Sequence, residues 1–200
     1  MKSIIVYLIF LTLSSNLLAS TNQSKFQNIT LTMGNWFENF KEVQTDSNGN
    51  TNNFEVAPFF SFAMDYKYNP KFTVIPEIGW VVSRDAGTSK IKKNLFFTKI
   101  DIAYYLKENL RLRAGTSLMI LNISGNGGEK KLPNGDGEDT YFLPTERRTA
   151  LNQTLDLGIE YIIDRISIRG GSFIYAFTDS DERMITYSTS ISYLLPLDEI

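Results

Sequence analysis

Residues 93–122 read KNLFFTKIDIAYYLKENLRLRAGTSLMILN, and this stretch decides the fold. In its first half Thr98, Ile100, Ile102 and Tyr104 alternate with Lys99, Asp101 and Ala103. In its second half Leu110, Leu112, Ala114, Leu118 and Ile120 alternate with Arg111, Arg113, Gly115 and Ser117. A period of two is that of a β-strand with one apolar and one polar face. The two runs, Lys93 to Leu106 and Asn109 to Asn122, leave only Lys107 and Glu108 between them, which is a tight antiparallel turn. Each run exceeds ten residues, where an ordinary strand has roughly 5 or 6. A tilted strand crossing a bilayer needs about 9 to 11.

The pattern extends in both directions. Six more runs share it: Phe26 to Phe40, Phe54 to Tyr68, Lys71 to Ser83, Ala150 to Ile163, Arg165 to Phe177 and Arg183 to Leu195. Further tight turns fall at Asn69-Pro70 and at Asp164, whereas Lys41 to Asn53, Arg84 to Lys92, Ile123 to Thr149 and Thr178 to Glu182 are longer polar connections. Short and long connections alternate, so an antiparallel meander has tight turns at one end and loops at the other. Pro58 and Pro76 each remove a ladder donor, and a local irregularity is expected at both.

The alternation alone leaves the sense of the apolar face open. In a soluble, lipocalin-like periplasmic barrel the bulky residues point inward around a ligand; in a membrane barrel they point outward. Two features favour lipid. The polar face is rich in Gly, Ala and Ser, which suit the crowded inside of an eight-stranded barrel. The aromatics band at strand ends: Tyr66, Tyr68, Tyr104, Tyr161 and Tyr193 beside the tight turns or the last strand's end, Trp36 and Trp80 near the long loops, as an aromatic girdle requires.

On these features the chain resembles the small eight-stranded outer-membrane barrels of Gram-negative bacteria, the class of the OmpA transmembrane domain, OmpX and OmpW. The likeness is one of architecture, without a family motif. It implies an all-β, eight-stranded antiparallel up-and-down transmembrane β-barrel with short periplasmic turns. The implied partners are outer-membrane lipid, lipopolysaccharide and the barrel-assembly machinery. Such barrels usually end on an aromatic; here the chain runs past Tyr193, Leu195 and Leu197 to Asp198, Glu199 and Ile200.

At the other end Met1-Lys2-Ser3 precedes an apolar run from Ile4 to Leu13 and a small-residue stretch ending at Ala19-Ser20. That is the layout of a secretory signal peptide, expected over 1–19, with a single barrel domain over 20–200.

Composition narrows the function. The 200 residues include no histidine and no cysteine, which removes the commonest general base, the commonest transition-metal ligand, thiol catalysis and most zinc sites. Barrel proteases, phospholipases and lipid A-modifying enzymes generally depend on a catalytic histidine, so a non-enzymatic protein without cofactor or metal is expected. A net charge of -2 with no basic run excludes nucleic acid as a partner. Asp156 and Glu160 could form an acid–base pair, but four residues along one strand put them about 13 Å apart. Asn134, Asp136 and Glu138 imitate the start of a calcium loop, yet Asp139 stands where glycine is needed and Thr145 where glutamate is needed. A solvated, flexible acidic loop is the expectation there, and Arg147 and Arg148 beside it suit anionic lipopolysaccharide.

The expected lumen carries Glu55, Asp65, Lys67, Glu77, Lys99, Asp101, Arg111, Arg113, Asp156, Glu160 and Arg169, six acids and five bases that can neutralise one another. Three roles stay open: a plugged barrel presenting loops for envelope integrity, adhesion or surface binding; a small porin-like pore or carrier of hydrophobic solutes; and the soluble ligand-binding barrel.

Overall fold

The computed structural model describes residues 26–40, 53–85, 90–133, 137–179 and 183–197. The signal-peptide reading therefore lies outside the described residues, as do Asn134 and Asp136.

Eight long strands close on themselves: β1 (Phe26–Phe40), β2 (Asn53–Asn69), β3 (Phe72–Asp85), β4 (Ile91–Lys107), β5 (Leu110–Gly125), β8 (Arg148–Ile163), β9 (Ile166–Tyr175) and β10 (Met184–Pro196). Neighbours in the chain are neighbours in the sheet, every pairing is antiparallel, and β1 pairs with β10 to seal the barrel. Closure removes the two open edges that such long strands would otherwise expose.

The turns form for local reasons. At the β2–β3 turn Asn69 Oδ1 accepts hydrogen bonds from the backbone N–H of Lys71 (2.8 Å) and Phe72 (3.0 Å), an Asx turn that reverses the chain around Pro70. At the β8–β9 turn Asp164 adopts φ = 53°, a left-handed conformation that Asp tolerates better than most residues. At the prolines the β2–β3 ladder is interrupted without a change of register, while Pro58 keeps its place opposite Asn35 of β1 and Pro76 its place opposite Ile100 of β4. The β2–β3 pairing begins at Phe59, next to Pro58, and skips Met64 and Asp65 opposite Pro76 and Ile75.

The long connection between β5 and β8 departs from expectation. Its sequence reads as a solvated loop, but it forms a hairpin of β6 (Glu129–Pro133) and β7 (Glu138–Phe142). Lys130 pairs with Tyr141 and Lys131 with Thr140 in an antiparallel ladder. The charges and glycines that separate it from the barrel strands hide it in the sequence.

The barrel turns its bulky residues outward. Leu31, Met33, Ile78, Ile102, Leu157, Ile159 and Ile191 are exposed, and the residues between them are buried inside. Gly34 and Gly79 face inward beside large rings. A Cβ at Gly79 would fall within the Phe97 ring, and one at Gly34 would meet Phe59 at 2.7 Å, so both positions need a hydrogen in place of a side chain. A Gly79→Ala variant is expected to lose about 1–3 kcal/mol of stability by overpacking. Urea unfolding of the refolded barrel should show that loss, and Phe97→Leu in the same chain should recover part of it.

Candidate functional site

The interior is the candidate site, and it is stacked in layers. In the half of the barrel nearer the loops, Trp36 from β1, Phe59 from β2, Phe97 from β4 and Phe173 from β9 meet at the centre, with Met119, Leu95 and Val81 around them. The Trp36 ring lies 4.4 Å from Phe173 and 6.0 Å from Phe97, and meets Phe59 edge-on at 6.3 Å. Such offset and edge contacts are each worth about 0.5–1.5 kcal/mol beyond burial.

This corrects one expectation. Trp36 is fully buried inside the barrel and is not part of an outer girdle. Its parity on β1 matches Thr30, Thr32 and Glu38, which are also buried. Nearness to a strand end had suggested the girdle; the alternation points inward. Phe59 and Phe97 follow the same rule. Of the other expected girdle residues, Tyr68, Trp80, Tyr161 and Tyr193 are exposed, Tyr104 is half-buried, and Tyr66 is buried with its ring 5.0 Å from that of Phe26. On the outer surface Trp80 stacks on Phe96 with ring centres 6.2 Å apart.

The half nearer the tight turns holds the charges. Glu77 is almost completely buried and receives two hydrogen bonds from Arg169 (2.8 and 3.0 Å), one from Arg113 (3.1 Å) and one from Ser61 (2.6 Å). Lys99 Nζ lies 3.3 Å from the same carboxylate and donates to Asp101 at 3.0 Å. Arg113 reaches Asp101 through Nε (2.9 Å) and Glu160 through Nη1 (3.0 Å). Arg111 joins Glu160 (2.8 Å) to Asp65 (2.9 Å), and Ser167 completes Glu160 at 2.7 Å. Six strands, β2, β3, β4, β5, β8 and β9, put charged residues on the inward parity, and closure brings residues as far apart as 77 and 169 into contact.

Nine of the expected lumen residues are buried in this half: Asp65, Glu77, Lys99, Asp101, Arg111, Arg113, Asp156, Glu160 and Arg169. Lys67 is half-buried near the tight turn and makes no ion pair among the described residues. Glu55 lies in β2, and its side chain falls outside the described residues. Asp156 accepts from Thr154 (2.6 Å) and Ser117 (3.0 Å) and has no ion pair among the described residues. Glu160 is held by two arginines, so the two carboxylates work in separate surroundings. No described group of acidic side chains has the arrangement of a metal site. A cavity of about 10 Å³, room for roughly one water, lies between Asp156, Arg169, Phe173 and Ser188.

The sequence reading missed a second ion cluster at the loop end. Glu38 is buried between Lys93, at 2.8 Å, and Arg84. Lys93 has the inward parity of Lys99 and Asp101, so the alternation could have found it. Arg84 could not be found that way. The β3–β4 register shifts by one residue between Val81 and Arg84, and this bulge turns Arg84 to the face that Val81 occupies.

No family model matches the chain, and no curated protein matches it. Among solved structures it is similar to Ail, the attachment invasion locus protein of Yersinia pestis, at 12% identity, covering 84% of this chain and 99% of that one, TM-score 0.46. It is also similar to Neisserial surface protein A, at 8% identity over 88% and 99% of the two chains, TM-score 0.46. A third is the outer membrane protein OprG from Pseudomonas aeruginosa, at 8% over 86% and 94%, TM-score 0.42.

Glu77 is the hub of the lower layer. Glu77→Gln leaves Lys99, Arg113 and Arg169 with one negative charge fewer, and a loss of about 3–5 kcal/mol is expected in urea unfolding. Adding Arg169→Gln restores the balance and should recover part of it. A loss below about 1 kcal/mol in the single variant would show that the cluster does not hold the barrel together.

Proposed function

We propose that this chain is a non-enzymatic outer-membrane β-barrel of the Gram-negative envelope that acts through its loop end, with a lumen that does not conduct. The observation that carries the reading is the inversion of the barrel: the charges and hydroxyls lie inside with one packed aromatic layer, and a belt of bulky apolar side chains lies outside. A largely apolar belt around a closed barrel is a poor surface for water. It is the right surface for hydrocarbon, which requires closed ladders and no exposed edges. The same inversion argues against a lipocalin-like carrier, whose apolar face would surround a cavity.

The filled interior supports the second half of the reading. The aromatic layer and the Glu77 network block the axis in succession, and the cavity between them has room for about one water. Chemistry with the outside world then falls to the loop end. There the β6–β7 hairpin exposes Phe142, and Arg147 and Arg148 are exposed on the approach to β8. Arg147 donates through Nε (3.3 Å) and Nη2 (3.0 Å) to Asn122 Oδ1, which holds its guanidinium at the rim. An anionic lipopolysaccharide headgroup is the class of molecule these cations suit, and adhesion or envelope integrity the class of role. The unfolded chain reaches this state through the barrel-assembly machinery.

Two measurements test the reading. The protein should sediment with outer membranes and migrate differently on detergent gels when unboiled and boiled, and Leu157→Arg should cost about 2–4 kcal/mol of barrel stability in lipid. Recovery in the soluble periplasmic fraction with no gel shift would refute the membrane placement. In planar bilayers the purified protein should give no conductance steps; regular steps would establish the pore instead.

A further inference from the structure

A polar row crosses the outer face of β1 and its neighbours. On the outer face of β1, Leu31 and Met33 are followed by Asn35 and then Phe37, and Asn35 is exposed. No side chain among the described residues hydrogen-bonds its carboxamide. By register Asn35 lies opposite Thr189 of β10 on one side and Pro58 of β2 on the other, and Thr189 lies opposite Gly170 of β9. Thr189 and Pro58 are exposed, and a Cβ at Gly170 would meet nothing within 4 Å.

The row is inside the apolar belt and not at its rim. Towards the tight turns it is bordered by Phe60, Met33, Ile191 and Ile168, and towards the loops by Val56, Phe37 and Tyr187, with the small Ser172 next to Tyr187 on β9, all matched by register. The outward amide of Gln153, by contrast, donates to Thr116 Oγ1 at 3.4 Å.

A carboxamide in hydrocarbon loses its water and gains nothing in exchange, so polar groups at this depth are expected to have a partner. Small neighbours allow another protein surface to approach closely, as at other membrane interfaces. The amide also selects the partner. It carries one acceptor and two donors on one group, so two copies related by a two-fold axis satisfy each other, each Nδ2 donating to the other's Oδ1.

We propose that a second copy of this chain packs on the β9–β10–β1–β2 face, forming an isologous dimer within the membrane around Asn35. The dimer rests on the reading of the chain as membrane-spanning, and the test separates the two. The chain has no cysteine, so single replacements report cleanly. Thr189→Cys places a thiol beside Asn35, and Ile102→Cys places one on β4, outward but on a distant face.

In outer membranes treated with a short bifunctional thiol cross-linker, Thr189→Cys should give a product of twice the chain's mass and Ile102→Cys should not. Adding Asn35→Leu to Thr189→Cys should lower the yield about threefold or more. A lipid-phase maleimide should label Ile102→Cys; failure to label it refutes the membrane-spanning reading. Labelled Ile102→Cys with no Thr189 dimer, or with equal cross-linking at both sites, overturns the dimer alone. A product carrying a different protein overturns the second copy as the occupant, and an Asn35→Leu yield equal to the parent's overturns the role of the amide.

Discussion

Glu77 is shut inside an eight-stranded barrel with Lys99, Arg113 and Arg169 around its carboxylate, and the rest of the structure depends on that balance. Eight strands enclose a space that side chains alone can fill. Anything charged there loses its water and must find its counter-charge within a few ångströms. The three cations come from β4, β5 and β9 and the carboxylate from β3, so the network is satisfied only when the barrel is closed and in register. A one-residue slip of any of these strands would send its charge into the outer face. Specificity of register is therefore a stronger consequence of the network than stability.

The aromatic layer answers the same constraint with different chemistry. Where the wall carries no charge, the volume is filled by Trp36, Phe59, Phe97 and Phe173, and room for the rings is made by placing glycine at 34 and 79. Above it the interior returns to charge, and a bulge is needed to bring Arg84 round to Glu38. The polar ladder of Ser188, Ser190 and Ser192 on β10 does the reverse: small side chains on one wall leave space for the long arginines reaching from the other. Thr32 and Ser192 join across the closing seam at 2.8 Å, which ties the first and last strands inside as well as along their backbones.

Much of this is legible in the amino-acid sequence. The eight strands lie within a few residues of the runs read from alternation, and the inward parity of Lys99, Asp101, Arg111, Arg113, Asp156 and Glu160 can be read directly from the chain. Trp36 was misread because position near a strand end was weighed above parity. Glu38 and Lys93 followed the alternation and were passed over. Arg84 was beyond reach, because a bulge changes parity without changing composition. The β6–β7 hairpin was hidden by its glycines and charges, whose local preference is for turns, while pairing across the loop supplies hydrogen bonds that outweigh that preference.

The sequence by itself determined the number of strands, the alternation of their connections, and the division of each strand into a bulky and a small or charged face. Those are local properties, set by a period of two and by turn chemistry. It could not determine which face is outside, because a period of two is the same read from either side. The tertiary structure decided it by volume and charge. An eight-stranded cylinder is too narrow to hold all the leucines, isoleucines and tyrosines of one face, but it can hold arginines and carboxylates that neutralise one another across its axis. Which charge meets which, and which polar residue is left facing outward at Asn35, follow only once the ring of strands is closed.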